Sequence, residues 1–186
     1  MTPKVLVPIA DGTEEIEAVC IIDVLRRAGA DVSVASVGAL QITASRGVKI
    51  VADRLIAECM DDVFDLIVLP GGIPGAEHLR DSSELKALLQ RQKAEDRWYG
   101  AICAAPAVVL EEHGLLAATR ATSHPNFMDR LAPDRADAAR VVVDGRCVTS
   151  RGPGTALEFA LELVALLFGR EHADAVAAPM VMAGRS

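Results

Sequence analysis

Short runs of uninterrupted apolar residues, each ended abruptly by turn formers, alternate along this chain with longer amphipathic stretches. The clearest run is Leu66-Ile67-Val68-Leu69, which stops at Pro70-Gly71-Gly72. A strand that is apolar on every residue has no face for water, so it must be covered on both sides, as in a parallel sheet between two helical layers. Residues 4–10 repeat the pattern and stop at Asp11, and residues 31–37 and 98–102 read as further strands. Between the first two, residues 13–29 place Ile16, Val19, Cys20, Val24 and Ala28 at helical spacing, the expected core face, and close on Gly29, which tolerates a positive φ.

Helix is also predicted over residues 83–95, over 105–112 with Pro106 in the first turn, and from 155 to 168, where Thr155-x-x-Glu158 has the form of a capping box. Alternation in 48–51 suggests an edge hairpin within the weakly periodic stretch 41–57, and residues 121–123, 140–143 and 147–149 are strand-like. Strand and helix alternating without repeats or linkers predict an α/β fold, a doubly wound sandwich around a mostly parallel sheet, as a single domain over residues 1–186. With 51% hydrophobic residues the chain has ample material for one core.

The apolar run after Lys4 is too short for a secretory leader, and no stretch approaches the ~20 apolar residues of a spanning helix. Cys20, Cys59, Cys103 and Cys147 form no C-x-x-C pair, which suits reduced thiols, so a cytoplasmic location away from membranes is expected. A net charge of −7 makes nucleic acid a poor partner. No two histidines have metal-ligand spacing, and the loop 69–75 lacks both G-x-G-x-x-G and a G-K-[ST] ending, so neither a metal nor a nucleotide cofactor is expected.

Sheets of this kind bind ligands beyond the carboxyl ends of their strands, which directs attention to the loops there. Cys103 falls at the junction of a strand and a helix in Ala101-Ile102-Cys103-Ala104-Ala105-Pro106. The positive end of a helix favours a thiolate, and small neighbours permit a sharp nucleophile turn. The same place suits a small buried residue at a packed turn, and spacing alone does not choose. Cys20, Cys59 and Cys147 are expected to pack rather than react. Glu14, Glu15 and Glu17 open the first helix, where carboxylates complement its dipole. If Glu17 instead faced Cys103, the two would share a proton and Glu17 could donate to the sulfur. The N–H groups of Gly72 and Ala104 could hold an oxyanion, and His124, in Ser123-His124-Pro125, could act as a base for Cys103. His78, His113 and His172 read as surface residues.

Four segments, Ala10-Asp11-Gly12-Thr13-Glu14-Glu15-Ile16-Glu17, Leu69-Pro70-Gly71-Gly72, Ala101 to Pro106, and Thr149-Ser150-Arg151-Gly152-Pro153-Gly154-Thr155, together resemble the ThiJ/PfpI superfamily. Within it the chain is most similar to the branch of the Parkinson-associated protein deglycase and its bacterial YajL-like relatives. The resemblance covers nearly the whole chain and implies a flavodoxin-like fold and a homodimer. In it Cys103 is the reactive cysteine, Glu17 its protonated partner and His124 a nearby, imperfectly placed histidine. Gly72 and Ala104 match the backbone oxyanion donors, while Arg27 and Arg46 match basic residues of an anion pocket near the subunit boundary. Ala104 stands where intracellular proteases of the superfamily carry histidine, which weakens a peptidase reading. The implied activity is that of a glyoxalase and protein deglycase acting on methylglyoxal, glyoxal and their early adducts on protein amines and thiols, releasing lactate or glycolate. The alternative is a redox-sensing chaperone whose cysteine is oxidised to a sulfinate.

Overall fold

The first strand, β1 (Lys4–Ile9), is solvent-exposed only at its lysine, and Val5, Leu6, Val7 and Ile9 are wholly buried. It lies in the middle of a sheet in a computed structural model that describes residues 2–182. In chain order α1 (Glu15–Arg27) and β2 (Asp31–Ser36) follow, then the short strands β3 (Gln41–Thr43), β4 (Lys49–Val51) and β5 (Arg54–Leu55). Next come β6 (Leu66–Leu69), α2 (Gly75–Asp81), α3 (Ser83–Ala94) and β7 (Trp98–Ile102). The chain closes with β8 (Val141–Asp144), β9 (Cys147–Ser150), α4 (Ala156–Phe168) and α5 (Arg170–Ala177).

Seven strands form the main sheet in the order β5-β2-β1-β6-β7-β9-β8, parallel throughout except that β8 runs against β9. The mostly parallel sheet is the one the periodicity predicts, and its central part, β2-β1-β6-β7-β9, has the 2-1-3-4-5 order of the flavodoxin-like fold that the resemblance implies. In such a sheet the crevice lies where the winding reverses, next to the carboxyl end of β1, so the loops after β1, β6 and β7 converge there. Among the described residues no helix is long and apolar enough to cross a membrane.

Several local readings need correction. The core face of α1 is Glu17, Ala18, Ile21, Val24 and Leu25, whereas Ile16 and Val19 are half exposed and Cys20 lies on the flank. Both stripes satisfy helical periodicity, and the charge on Glu17 disguised the true one. The expected edge hairpin forms, but β3 and β4 make a separate two-stranded sheet, and β5 extends the main sheet instead. The capping box at Thr155 does not form. Its hydroxyl is engaged with Ser150 at 2.7 Å and Gly152, and no side-chain cap closes the N-terminus of α4. Residues 121–123 make only an isolated bridge, Ala121 with Ala136. The helix expected over 105–112 is a π-helix, Pro106–Glu111, buried over its first five residues.

Candidate active site

Cys103 adopts φ +66, a left-handed conformation uncommon for any residue with a side chain and costing of order 1 kcal/mol or more. Three backbone-directed bonds hold it there. Its N–H donates to the Ser150 carbonyl at 3.1 Å, and its own carbonyl accepts from the Ser123 hydroxyl at 2.6 Å and the His124 N–H at 2.8 Å. The strained turn sets the Cys103 side chain against the loop after β6. Gly71 in that loop touches both reactive side chains: a Cβ built on it would stand 2.6 Å from the Cys103 Cβ and 2.9 Å from Glu17 Oε2. Gly72, at φ +90, presses on the loop after β1, where an added Cβ would meet the Glu14 nitrogen at 2.5 Å.

The three acidic residues at the start of α1 do three different things. Glu14 caps the helix by accepting the Glu17 N–H at 2.8 Å. Glu15 ties down the β3–β4 hairpin through the Ser45 hydroxyl and the Arg46 N–H, each at 2.7 Å. Glu17 is fully buried on the core face, and its Oε2 accepts the Gly71 N–H at 2.8 Å. Its other oxygen, Oε1, is the one buried side-chain nitrogen or oxygen without a hydrogen-bond partner among the described residues. An ionised oxygen left so is costly, and protonation there lowers that cost, which makes Oε1 the atom to carry a proton when the site takes one up.

The electrostatics agree. Burial raises the Glu17 pKa to about 7, with the Glu14 charge adding to it, against the lowering effect of the Gly71 N–H and the Cys103 contact. The expectation of a thiolate favoured by a helix end is overturned. Desolvation, and after it the Glu17 charge, push the Cys103 thiol up to about 12. Opposing this, the N–H groups of Gly72 and Ala104 favour the ionised form of the sulfur. The carboxyl and thiol interact directly and titrate as a pair that holds at most one charge near neutrality. A proton passing from Sγ to Glu17 therefore creates the thiolate without changing the charge of the site.

This proton has a consequence for stability. An unfolded glutamate ionises near 4.5 and the folded one near 7, so the stabilising preference is complete below about pH 4.5 and is lost as the pH rises through about 7. The gap corresponds to about 3 kcal/mol. Glu17→Gln, which is neutral at every pH, is expected to be more stable than the wild type at pH 8 by up to about 3 kcal/mol, with the advantage vanishing toward pH 4.5. Chemical denaturation of both proteins across that range checks it, and parallel curves would show that Glu17 keeps one protonation state on folding.

The remaining expected site residues are placed less centrally. The His124 backbone reaches Cys103, but its ring accepts the Asn126 N–H on Nδ1 at 3.2 Å, which occupies the basic nitrogen of the neutral ring and puts its proton on Nε2, against a base role for Cys103. The ring edge lies against Gly152. Arg27 ends α1 and pairs with Asp23, while the Arg46 backbone is fixed at the opposite end of the same helix, about 18 Å away by its rise per residue. One protomer does not bring these two arginines together. No group of three or more metal-ligating side chains occurs among the described residues. Sequence reading misses Ser123 and Ser150 as site residues, because one acts by its hydroxyl and the other by its carbonyl on the Cys103 backbone, contacts that no spacing signals.

A family model described as the DJ-1/PfpI family matches residues 3–166. The chain is 50% identical over 184 residues to protein DJ-1 homolog A of Arabidopsis thaliana, covering 97% of this chain but 47% of that protein, so it spans about half the length of that relative. It is 36% identical to the glutathione-independent glyoxalase DJR-1.2 of Caenorhabditis elegans, with 96% of this chain and 95% of the relative covered. Among solved structures, oxidized Toxoplasma gondii DJ-1 superposes with a TM-score of 0.97 at 49% identity, covering 98% of this chain and all of the other.

Proposed function

Because the chain belongs to the DJ-1/PfpI family, we propose that it is a cysteine-dependent glyoxalase that also acts as a protein deglycase. The observation that carries this reading is the buried pair of Cys103 and Glu17, with the N–H groups of Gly72 and Ala104 beside the sulfur. Such a site suits a small electrophilic carbonyl. The relative named as a glyoxalase aligns over nearly the whole length of both chains.

In this reading the thiol proton passes to Glu17, and the sulfur attacks the aldehyde carbon of methylglyoxal to form a thiohemiacetal. The Gly72 and Ala104 N–H groups hold the oxygen as charge develops on it. Glu17 then gives the thiol's proton to that oxygen, and the restored carboxylate removes the hydrogen of the former aldehyde carbon and returns it to the neighbouring carbon. The hydroxyl proton passes from the first oxygen to the second, so that the first carbon becomes a thioester and the second an alcohol. Water cleaves the thioester, releasing lactate and restoring the thiol; glyoxal gives glycolate in the same way. Early adducts on protein amines and thiols present the same carbon and are the deglycase substrates. The test is steady-state assay without added glutathione, following aldehyde and lactate separately. Equal rates of loss and gain are expected. If neither changes, the reading moves to peroxide oxidation of Cys103 to a sulfinate, for which the oxidized Toxoplasma gondii structure is the relevant likeness.

We further propose that the protein pairs with a second copy through α1 and the β4 edge. Ile16 and Val19 on the helix and Val51 on the strand are 53%, 49% and 67% exposed, and Val19, Ile22, Ile50 and Val51 line a shared groove of about 260 Å³. Asp23, Arg26 and Asp53 rim the same groove, so exposed apolar side chains sit beside charged ones, a mixture that suits the contact of two copies. Light scattering is expected to give twice the chain mass, and Val51→Glu to halve it; a monomeric wild type would sink the assignment.

A further inference from the structure

The peptide joining Cys103 to Ala104 carries two groups of consequence on opposite edges. Its N–H belongs to Ala104 and lies beside the Cys103 sulfur, and its oxygen belongs to Cys103 and points into the protein. Because a peptide is planar and trans, fixing the direction of the oxygen fixes that of the N–H. Two donors fix the oxygen: the Ser123 hydroxyl at 2.6 Å and the His124 N–H at 2.8 Å. Hydrogen bonds accepted at a carbonyl also polarise the N–H of the same peptide and make it a stronger donor.

Ser123 is itself built in rather than incidental. It has no solvent exposure, and the strand-like segment around it has almost no ladder to hold it. Side chains of β9 and of the loop after it secure that segment instead: the Thr149 hydroxyl accepts the Thr122 N–H at 2.9 Å, and the Arg151 guanidinium donates to the Ser123 carbonyl at 3.5 Å. Ser123 thus links β9 to the peptide that carries the Ala104 N–H.

We infer that Ser123 is a positioning residue which, through the Cys103 carbonyl, aims and polarises the Ala104 N–H that stabilises negative charge on the sulfur and on the oxygen of its adduct. The inference rests on the glyoxalase reading only for its effect on turnover; its effect on the sulfur stands apart. Two measurements separate them. The first is the rate of Cys103 alkylation by iodoacetamide against pH, read by mass spectrometry on the tryptic peptide 98–120, which carries Cys103 but not residue 123. The second is kcat and KM for methylglyoxal.

Ser123→Ala is expected to slow alkylation about tenfold below the thiol midpoint, to move that midpoint upward, and to lower kcat about tenfold with KM little changed, since one of the two donors remains. Ser123→Thr, which keeps the hydroxyl, restores all three. Ser123→Cys, close in size but a weak donor, falls between them and serves if the alanine variant cannot be purified. A folded Ser123→Ala or Ser123→Cys protein with the wild-type alkylation profile overturns the inference. A slowed alkylation in a protein that never turned over methylglyoxal would leave the inference standing and remove the glyoxalase reading.

Discussion

Cys103→Ala is expected to lose methylglyoxal turnover by a thousandfold or more, measured as lactate formed with free aldehyde followed in parallel. The size of the effect follows from the proposed chemistry: without the sulfur there is no covalent adduct, and the remaining N–H donors and carboxyl have nothing to act on. Folding is expected to survive, because the sulfur is a small group and its loss costs about 1 kcal/mol. Cys103→Ser is not expected to rescue, since a hydroxyl in so desolvated a pocket gives up its proton even less readily than the thiol that burial already pushes up to about 12. Turnover persisting in the alanine variant would place the chemistry elsewhere on the molecule.

Gly71→Ala is the second large effect, and it acts on shape. The new methyl group would meet the Cys103 Cβ at 2.6 Å and both Glu17 Oε2 and the Ile102 carbonyl at 2.9 Å; the first and last are fixed by the backbone, and the carboxylate oxygen is held by the Gly71 N–H. The loop must move, and with it the N–H that Glu17 accepts at 2.8 Å. We expect a loss of about 3 kcal/mol in denaturant unfolding together with most of the turnover. Gly154→Ala is the matched control, because nothing lies within 4 Å of its added Cβ and its change should stay within about 0.5 kcal/mol. Equal stability for the two variants would mean that the loop after β6 yields more easily than its packing implies.

The architecture was largely legible because β1 after Lys4 and β6 are apolar on every residue. Parallel strands alone allow several orders, and the flavodoxin-like one comes from the family resemblance, whereas Cys103 and Gly72 stand out as a thiol and a glycine at strand ends. What stayed hidden depends on tertiary neighbours. Burial of Glu17 is invisible in a run of three acidic residues, and so the direction of the Cys103 shift was misjudged: the helix end was visible, the desolvation was not. The Thr155 motif misled because a hydroxyl can satisfy a helix end or a neighbouring loop, and Ser150 and Gly152 claimed it. α2 escaped notice because its seven residues begin directly after Pro74 and look like an extension of the turn.

The direction of the sheet carries a practical consequence. All the reactive groups sit where β1, β6 and β7 finish, whereas Lys4 begins β1 at the other rim, about 15–20 Å away along the strand. A label, a surface anchor or a fused partner joined ahead of Lys4 would therefore leave the reactive end facing outward. Immobilised on a sensor chip in that orientation, the protein should meet aldehydes and glycated macromolecules as freely as it does in solution.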